Sequence, residues 1–509
     1  MIQPITKTKL NLRPIFVEMS HLYVYEGPCR FGQGDELTPE FDQSLNAEMY
    51  KGFLEDIRNN IPDWVNLLEP VYVVRHDDWL IPDEMIEAMA KGYEETDFYL
   101  FGDGGRCGSV ISEFMQRYPK PCATMFDCRG NALINATLLS HGCEAYPART
   151  WEELLPAMQA VRTRKALREL KVLLTYRFNA NQSIESAPDS FNDLQYVTKK
   201  FGTRFRTVNM HELMDELRVG DNTKNPSTPG RAQLNLTEDD MREIEKMADD
   251  LMAGAATNNV DREYVIKTLK AYKVIRKNME QQECNAFTAP CPDMCSTRRL
   301  NEEQCTFCLS HSLNNEQGIP SACEYDVTAL ICMAILAVVS GKAPYMSNTT
   351  EFNLDIPSTT RSFNFLTEEE IDSVRNVPEL MLTYHSVPNR KLHGFDSENS
   401  EYGLESFAYS GWSATLRYDF TQDAGEPITQ IRIDPNCRKM MIARGTVVRG
   451  FGFDKKNCSE GLFFSVTDRE KFVHTQQQFG LHMPLVLGDY TRELTKIAEV
   501  LGLEPVVCL

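Results

Sequence analysis

Four cysteines and one glutamate are the residues whose types and spacing first suggest chemistry. Cys291 and Cys295 in "APCPDMCSTRR" and Cys305 and Cys308 in "EQCTFCLS" give the pattern C-x3-C-x9-C-x2-C. That spacing is close to those of zinc and iron–sulfur sites, where thiolates at short intervals converge on one centre. Buried free thiols are the plainer alternative. Glu324 opens an almost wholly apolar run, and with Ser321 it fits the capping box S-x-x-E. In that motif the serine accepts from the third amide and the glutamate reaches back to the amide of the cap residue. Glu324 is therefore either a helix cap or a carboxylate placed to do chemistry.

The element that must position Glu324 is a helix. Val327, Leu330, Ile331, Ala334, Ile335, Val338 and Val339 recur at helical spacing, and Cys332, Met333, Leu336 and Ala337 fill most of the other side. A helix apolar all round is a buried one. Gly341 is a natural terminator, and the run is too short to span a bilayer.

Around this helix the chain reads as three parts. Residues 1–165 alternate strand signals ("IFVEM", "VYVVRH", "DFYLFGDGG", "PCATMFD") with helix signals ("MIEAMAKGYEE", "RCGSVISEFMQRY"). This is the rhythm of a parallel, Rossmann-like sheet with helices on its faces. The rhythm restarts at "LKVLLTYRF", so residues 166–350 are expected to form a second Rossmann-like domain, carrying the cysteine-rich segment and the Glu324 helix. Thr237 with Asp240 is a further capping box in this stretch. In residues 351–509 the period changes to two, as in "WSATLRYDF" and "ITQIRIDP". That pattern argues for a mainly antiparallel, barrel-like β domain. The fold class expected is thus α/β, with two parallel-sheet domains followed by a β-rich one.

Composition narrows the partners. With 509 residues, a net charge of −20 and 25% charged residues, the chain is ordinary for a globular protein but repels nucleic acid and anionic membrane. A neutral sugar is not excluded. The N-terminal stretch lacks the apolar core of a signal peptide. The 15 cysteines are then expected to be reduced thiols of a cytoplasmic protein.

Two stretches carry a family resemblance. "CLSHSLNNEQGIPSACEYDVTALICMAILAVVSGKAPYMSN" and "GTVVRGFG…TDREKFVHTQQQFGLHMPLVLGDYTRELTKIAEVLGLE" resemble the L-fucose isomerase and L-arabinose isomerase superfamily, and the order of domains agrees. The resemblance implies conversion of aldoses to ketoses through an enediol, with a divalent metal, usually manganese. It also implies a homo-oligomer, trimeric or hexameric. Glu324 matches the glutamate that binds metal and moves protons, and His482 matches the metal-binding histidine near the C terminus. Asn348 stands where L-fucose isomerase has a second metal-binding carboxylate, an aspartate. His385 lies where related proteins often have a histidine, and a substrate-binding role is possible for it. Arg30 could hold a substrate oxygen, since in related hexamers the first domain leans over a neighbour's site. Cys291 and Cys308 resemble positions that are often cysteine without any cluster, which leaves Cys295 and Cys305 as the additions.

The departure at Asn348 bears on the reaction. An asparagine can offer a carbonyl oxygen to a hard cation but cannot exchange a proton, and enediol chemistry divides proton transfers between an acid and a base. Glu351, three residues on, is a candidate replacement if the loop bends back. Three functions follow from the sequence: a metal-dependent sugar isomerase-like enzyme, an enzyme of different chemistry with a cysteine-bound zinc or iron–sulfur centre, and a noncatalytic sugar-binding protein. The first predicts that Glu324 and His482 converge.

Overall fold

The computed structural model describes residues 2–23, 38–76, 78–103, 107–125, 130–177, 187–220, 234–356 and 363–509. Arg30 and the glycines that end "DFYLFGDGG" lie outside the described residues. The chain is α/β and divides into two compact units: Thr8–Lys165, and Ala166–Leu509 together with the N-terminal Met1–Lys7. No helix among the described residues is long and apolar enough to cross a membrane.

In the first unit, β1 (Leu10–Ser20), β2 (Val65–Leu67), β3 (Val71–His76), β4 (Phe98–Asp103) and β5 (Cys122–Thr124) form one parallel sheet. β1 is central. On one edge it pairs first with β2 through residues 10–12 and then with β3 through residues 15–20. Pro14, which lacks an amide hydrogen, sits at the change of partner, where a ladder bond is missing anyway. Helices on the faces bury Ile15, Val17, Tyr99, Phe101, Ile111 and Phe114 in one core, and β1 is buried along nearly its whole length, Arg13, Glu18 and Ser20 included.

The second unit contains three sheets. β6 (Lys171–Tyr176), β7 (Arg204–Asn209), β9 (Ala286–Thr288) and β10 (Ser321–Ala322) make a parallel sheet in the order β10-β9-β6-β7. β11 (Asn348–Glu351), β12 (Leu380–His385), β15 (Pro427–Ile433), β16 (Lys439–Phe451), β17 (Glu460–Ser465) and β18 (Leu485–Leu487) form an antiparallel sheet, to which β19 (Glu504–Cys508) adds in parallel along β16. β13 (Gly403–Ser406) pairs antiparallel with β14 (Ala414–Arg417) and parallel with β8 (Thr257–Asn259). That small sheet joins residues from the 166–350 stretch to residues from the 351–509 stretch, and both stretches fall within one compact unit.

β14 departs from the half-exposed strand its alternation suggests, because all four of its residues are buried. The charge on Arg417 is met by Glu460 at 3.1 Å, with both side chains inaccessible. The helix Val327–Ser340 is buried from Val327 to Val338 because it packs on β9 and β10 of the parallel sheet and on β15 and β18 of the antiparallel sheet. With a sheet on either side, no face is left for polar residues. Gly341 terminates it at φ +66, with its amide donating to the Ala337 carbonyl. The site residues stand where the N-terminal end of this helix meets the antiparallel sheet.

Candidate metal centre

The helix does not begin as the capping box predicts. Ser321 belongs to β10, and its Oγ bonds His311 Nδ1 at 2.8 Å. The cap is Asp326, whose Oδ1 accepts from the Ala329 amide at 2.9 Å. Aspartate caps as well as serine does, and placing it at 326 frees Glu324 from any capping duty. Glu324 and Tyr325 connect the strand to the cap at φ +60 and +57. Left-handed backbone costs a side-chain-bearing residue about 1–2 kcal/mol, and strain of this kind collects at functional sites.

The freed carboxylate points between two imidazoles. Glu324 Oε1 lies 3.5 Å from His385 Nε2, and Oε2 lies 3.7 Å from His482 Nε2. Both nitrogens are buried without a hydrogen-bond partner, whereas the Glu324 side chain keeps 24% of its surface accessible. These separations are long for hydrogen bonds. Each is near the spacing of two ligands on a shared ion, since two bonds of about 2.0–2.2 Å at a tetrahedral angle place the ligand atoms about 3.3–3.6 Å apart; the 3.5 Å pair falls within that range and the 3.7 Å pair just beyond it. Burial raises the Glu324 carboxyl, but the two imidazoles outweigh it and hold the group below its usual range.

Asn348 is built into the same place by strand pairing. It opens β11, opposite Tyr384 of β12, and forms an isolated antiparallel bridge to His482 on its other side. Its backbone therefore lies between the segments that carry the two histidines. Glu351 does not replace the missing carboxylate. It is at the far end of β11, opposite Met381, with its carboxylate 3.9 Å from Arg469 Nε. An odd number of residues from Asn348, it faces the other side of the sheet.

The two histidines are held in different tautomers. His482 Nδ1 faces Asp326 Oδ2 at 2.8 Å. A carboxylate there keeps the proton on Nδ1 and leaves Nε2 a lone pair, as metal-binding histidines require. Burial lowers the His482 pKa, but the bond and charge of Asp326, helped by Glu324, raise it overall. His385 Nδ1 instead accepts from the Ser386 amide at 2.9 Å, so its neutral ring carries the proton on Nε2.

Arg432 anchors this arrangement from behind. Its guanidinium is inaccessible and reaches Asp326 Oδ2 at 2.6 Å, the His482 carbonyl at 3.1 Å, the Asp189 carbonyl at 3.0 Å and the Asp189 carboxylate at 3.3 Å. Asp189, Asp326 and His482 form one of two groups whose spacing would suit a metal ion, but the arginine already supplies the cation there. The other group is Cys323, Glu324 and His385, with no positive side chain bonded to it.

The four-cysteine centre is not formed. No three of Cys291, Cys295, Cys305 and Cys308 gather at ligand spacing among the described residues. Cys291 bonds Cys295 one helical turn away, and also Cys323. Cys308 Sγ accepts from Ser386 Oγ at 3.3 Å. Cys305 has Glu303 and Lys270 as its charged neighbours, and burial pushes its thiol up to about 12. The spacing suggested a cluster, but three short helices, Cys291–Ser296, Arg299–Glu303 and Cys308–Glu316, fan the thiols apart.

Sequence reasoning missed Asp326, Arg432, Asp189 and Cys323. Asp326 was readable as a rival cap two residues beyond Glu324. Arg432 sits in the alternating strand "ITQIRIDP", where an arginine at an inward position signals a buried partner, and Asp189 and Cys323 carry no such signal. No protein-family model matches the chain, and no curated protein matches it significantly.

Proposed function

We propose that this chain is a metal-dependent enzyme acting on a sugar or sugar-like hydroxyketone, by aldose–ketose isomerisation or related enediol chemistry. It would be a divergent member of the L-fucose and L-arabinose isomerase superfamily, cytoplasmic, and a trimer or hexamer. The observation that carries this reading is the partly accessible Glu324 carboxylate held between two buried imidazole nitrogens that lack partners.

Glu324 Oε2, His482 Nε2 and the amide oxygen of Asn348 are the groups that would hold a divalent ion. Oxygen ligands with one imidazole suit manganese. When bound, such an ion polarises a substrate carbonyl and hydroxyl. Asp326 holds the proton of the neutral His482 ring on Nδ1, so that Nε2 presents its lone pair, and Arg432 fixes both residues. Glu324 is the carboxylate exposed enough to meet substrate and to move a proton. Asn348 contributes oxygen but no proton transfer, which favours slow isomerisation or a substrate that needs one fewer proton moved. The described cysteines are all free, in keeping with a reducing compartment.

The test is metal analysis of protein purified without oxygen, with an assay of ketose formation from a panel of deoxy- and pentose sugars. Bound manganese and turnover that Glu324→Gln abolishes support the proposal. Iron with acid-labile sulfide, or sugar binding with no metal, would replace it with another reading.

A further inference from the structure

We propose that Cys323, Glu324 and His385 form a second ion site, for a thiophilic divalent cation such as zinc, on the carboxylate oxygen opposite His482. This goes beyond the sugar-enzyme reading and shares with it Glu324 and the His385 imidazole beside it.

Three observations carry it. The ligand atoms of Cys323, Glu324 and His385 all lie within 4.8 Å of one another. His385 is wholly buried, and its Nε2 has no hydrogen-bond partner while pointing at Glu324 Oε1 from 3.5 Å. A buried polar atom left unpaired beside a carboxylate and a thiol calls for an occupant. The third observation is the environment of Cys323. Its amide is fixed on Met346 Sδ at 3.2 Å, and its sulfur bonds the thiol of Cys291, which in turn bonds that of Cys295.

The two oxygens of Glu324 thus face different chemistry. Oε2 faces the imidazole of His482, whose backbone bridges to Asn348. Oε1 faces an imidazole and a thiol, and sulfur, nitrogen and one carboxylate oxygen make a zinc-type set with a fourth position open. Binding exchanges the Cys323 thiol proton for the metal–sulfur bond and releases that proton to solvent. On His385 the ring proton moves from Nε2 to Nδ1, the metal takes the Nε2 lone pair, and the Ser386 amide contact gives way.

The experiment uses the full-length chain, stripped by chelation and titrated with cobalt(II) without oxygen. The expected result is a thiolate-to-cobalt charge-transfer band in the near ultraviolet. Cys323→Ser should abolish the band and lower the stoichiometry by about one ion per chain. His482→Ala should keep the band, and Cys291→Ala should keep it while weakening affinity about 10-fold. Should Cys323→Ser fail to fold, wild-type protein titrated with zinc in two buffers of different ionisation enthalpy must release about one proton per thiolate formed. Cobalt bound without the band, a band that survives Cys323→Ser, or zinc uptake with no proton release would overturn the sulfur site and leave the His482 reading intact. The band without sugar turnover would support this site and count against the enzyme reading. No uptake of either ion would overturn both.

Discussion

His482 Nδ1 stands 2.8 Å from Asp326 Oδ2, and the same oxygen receives Arg432 at 2.6 Å. One carboxylate therefore caps the central helix, selects the histidine tautomer and neutralises a buried guanidinium. Asp326→Asn should reduce divalent-metal affinity about 10–100-fold, the usual cost of losing a partner behind a ligating histidine. Calorimetric titration of the folded variant checks this. Asp326→Ala should also destabilise by several kcal/mol, since breaking a buried ion pair costs about 3–5 kcal/mol. Thermal melts would reveal it.

Glu324 at φ +60 predicts an opposition between stability and activity. Glu324→Gly relieves a strain of about 1–2 kcal/mol, partly offset by the entropy glycine gains in the unfolded chain. The melting temperature should hold steady or rise while turnover disappears. A clear loss of stability with activity retained would return Glu324 to a structural role.

Asn348→Asp restores a carboxylate to the strand that bridges the two histidine segments. General acid–base assistance is worth roughly 10²–10⁴-fold, so isomerase activity on a deoxy- or pentose sugar should increase, and metal should bind more tightly. Steady-state rates of both proteins decide it. A wild type that already isomerises such sugars briskly, with no change in the variant, contradicts the role given to this position.

Acid sensitivity is expected from Asp240, in the capping box opening the helix Glu238–Gly254. Burial raises its pKa, but hydrogen bonds from Lys277 and Thr237 outweigh it and hold it at about 2 against an ordinary 3.8. A depressed carboxyl stabilises the fold above its unfolded pKa and loses that contribution as pH falls. Stability should therefore drop between about pH 3.8 and 2, and Asp240→Asn should flatten that part of the curve. Thr237→Ala, which removes the N-cap oxygen, should cost about 1 kcal/mol at neutral pH. Urea titrations across that range measure both.

The parallel sheets were legible because short apolar strand signals such as β4 and β6 alternate with helix signals along the chain, which is the rhythm of a sheet with helices on its faces. The helix after Glu324 was legible from apolar residues recurring at helical spacing, and the convergence of Glu324 with His482 followed from the family resemblance. The start of that helix was misread because Ser321 with Glu324 and Asp326 alone are both good caps, and only backbone geometry chooses between them. β14 was misread because Arg417 looks solvent-facing until folding brings it against Glu460, 43 residues away on a strand of a different sheet. The thiol contacts of Cys291 were invisible for a similar reason. Spacing along the chain pointed to Cys305, whereas folding brings Cys323.

The most direct test of the central claim is the manganese content of anaerobically purified wild-type, Glu324→Gln and His482→Ala proteins, each checked for folding by circular dichroism. The account predicts bound manganese in the wild type and its loss in both folded variants, because both residues face the same ion. Manganese retained by both variants, or absent from a wild type that binds sugar, would contradict it.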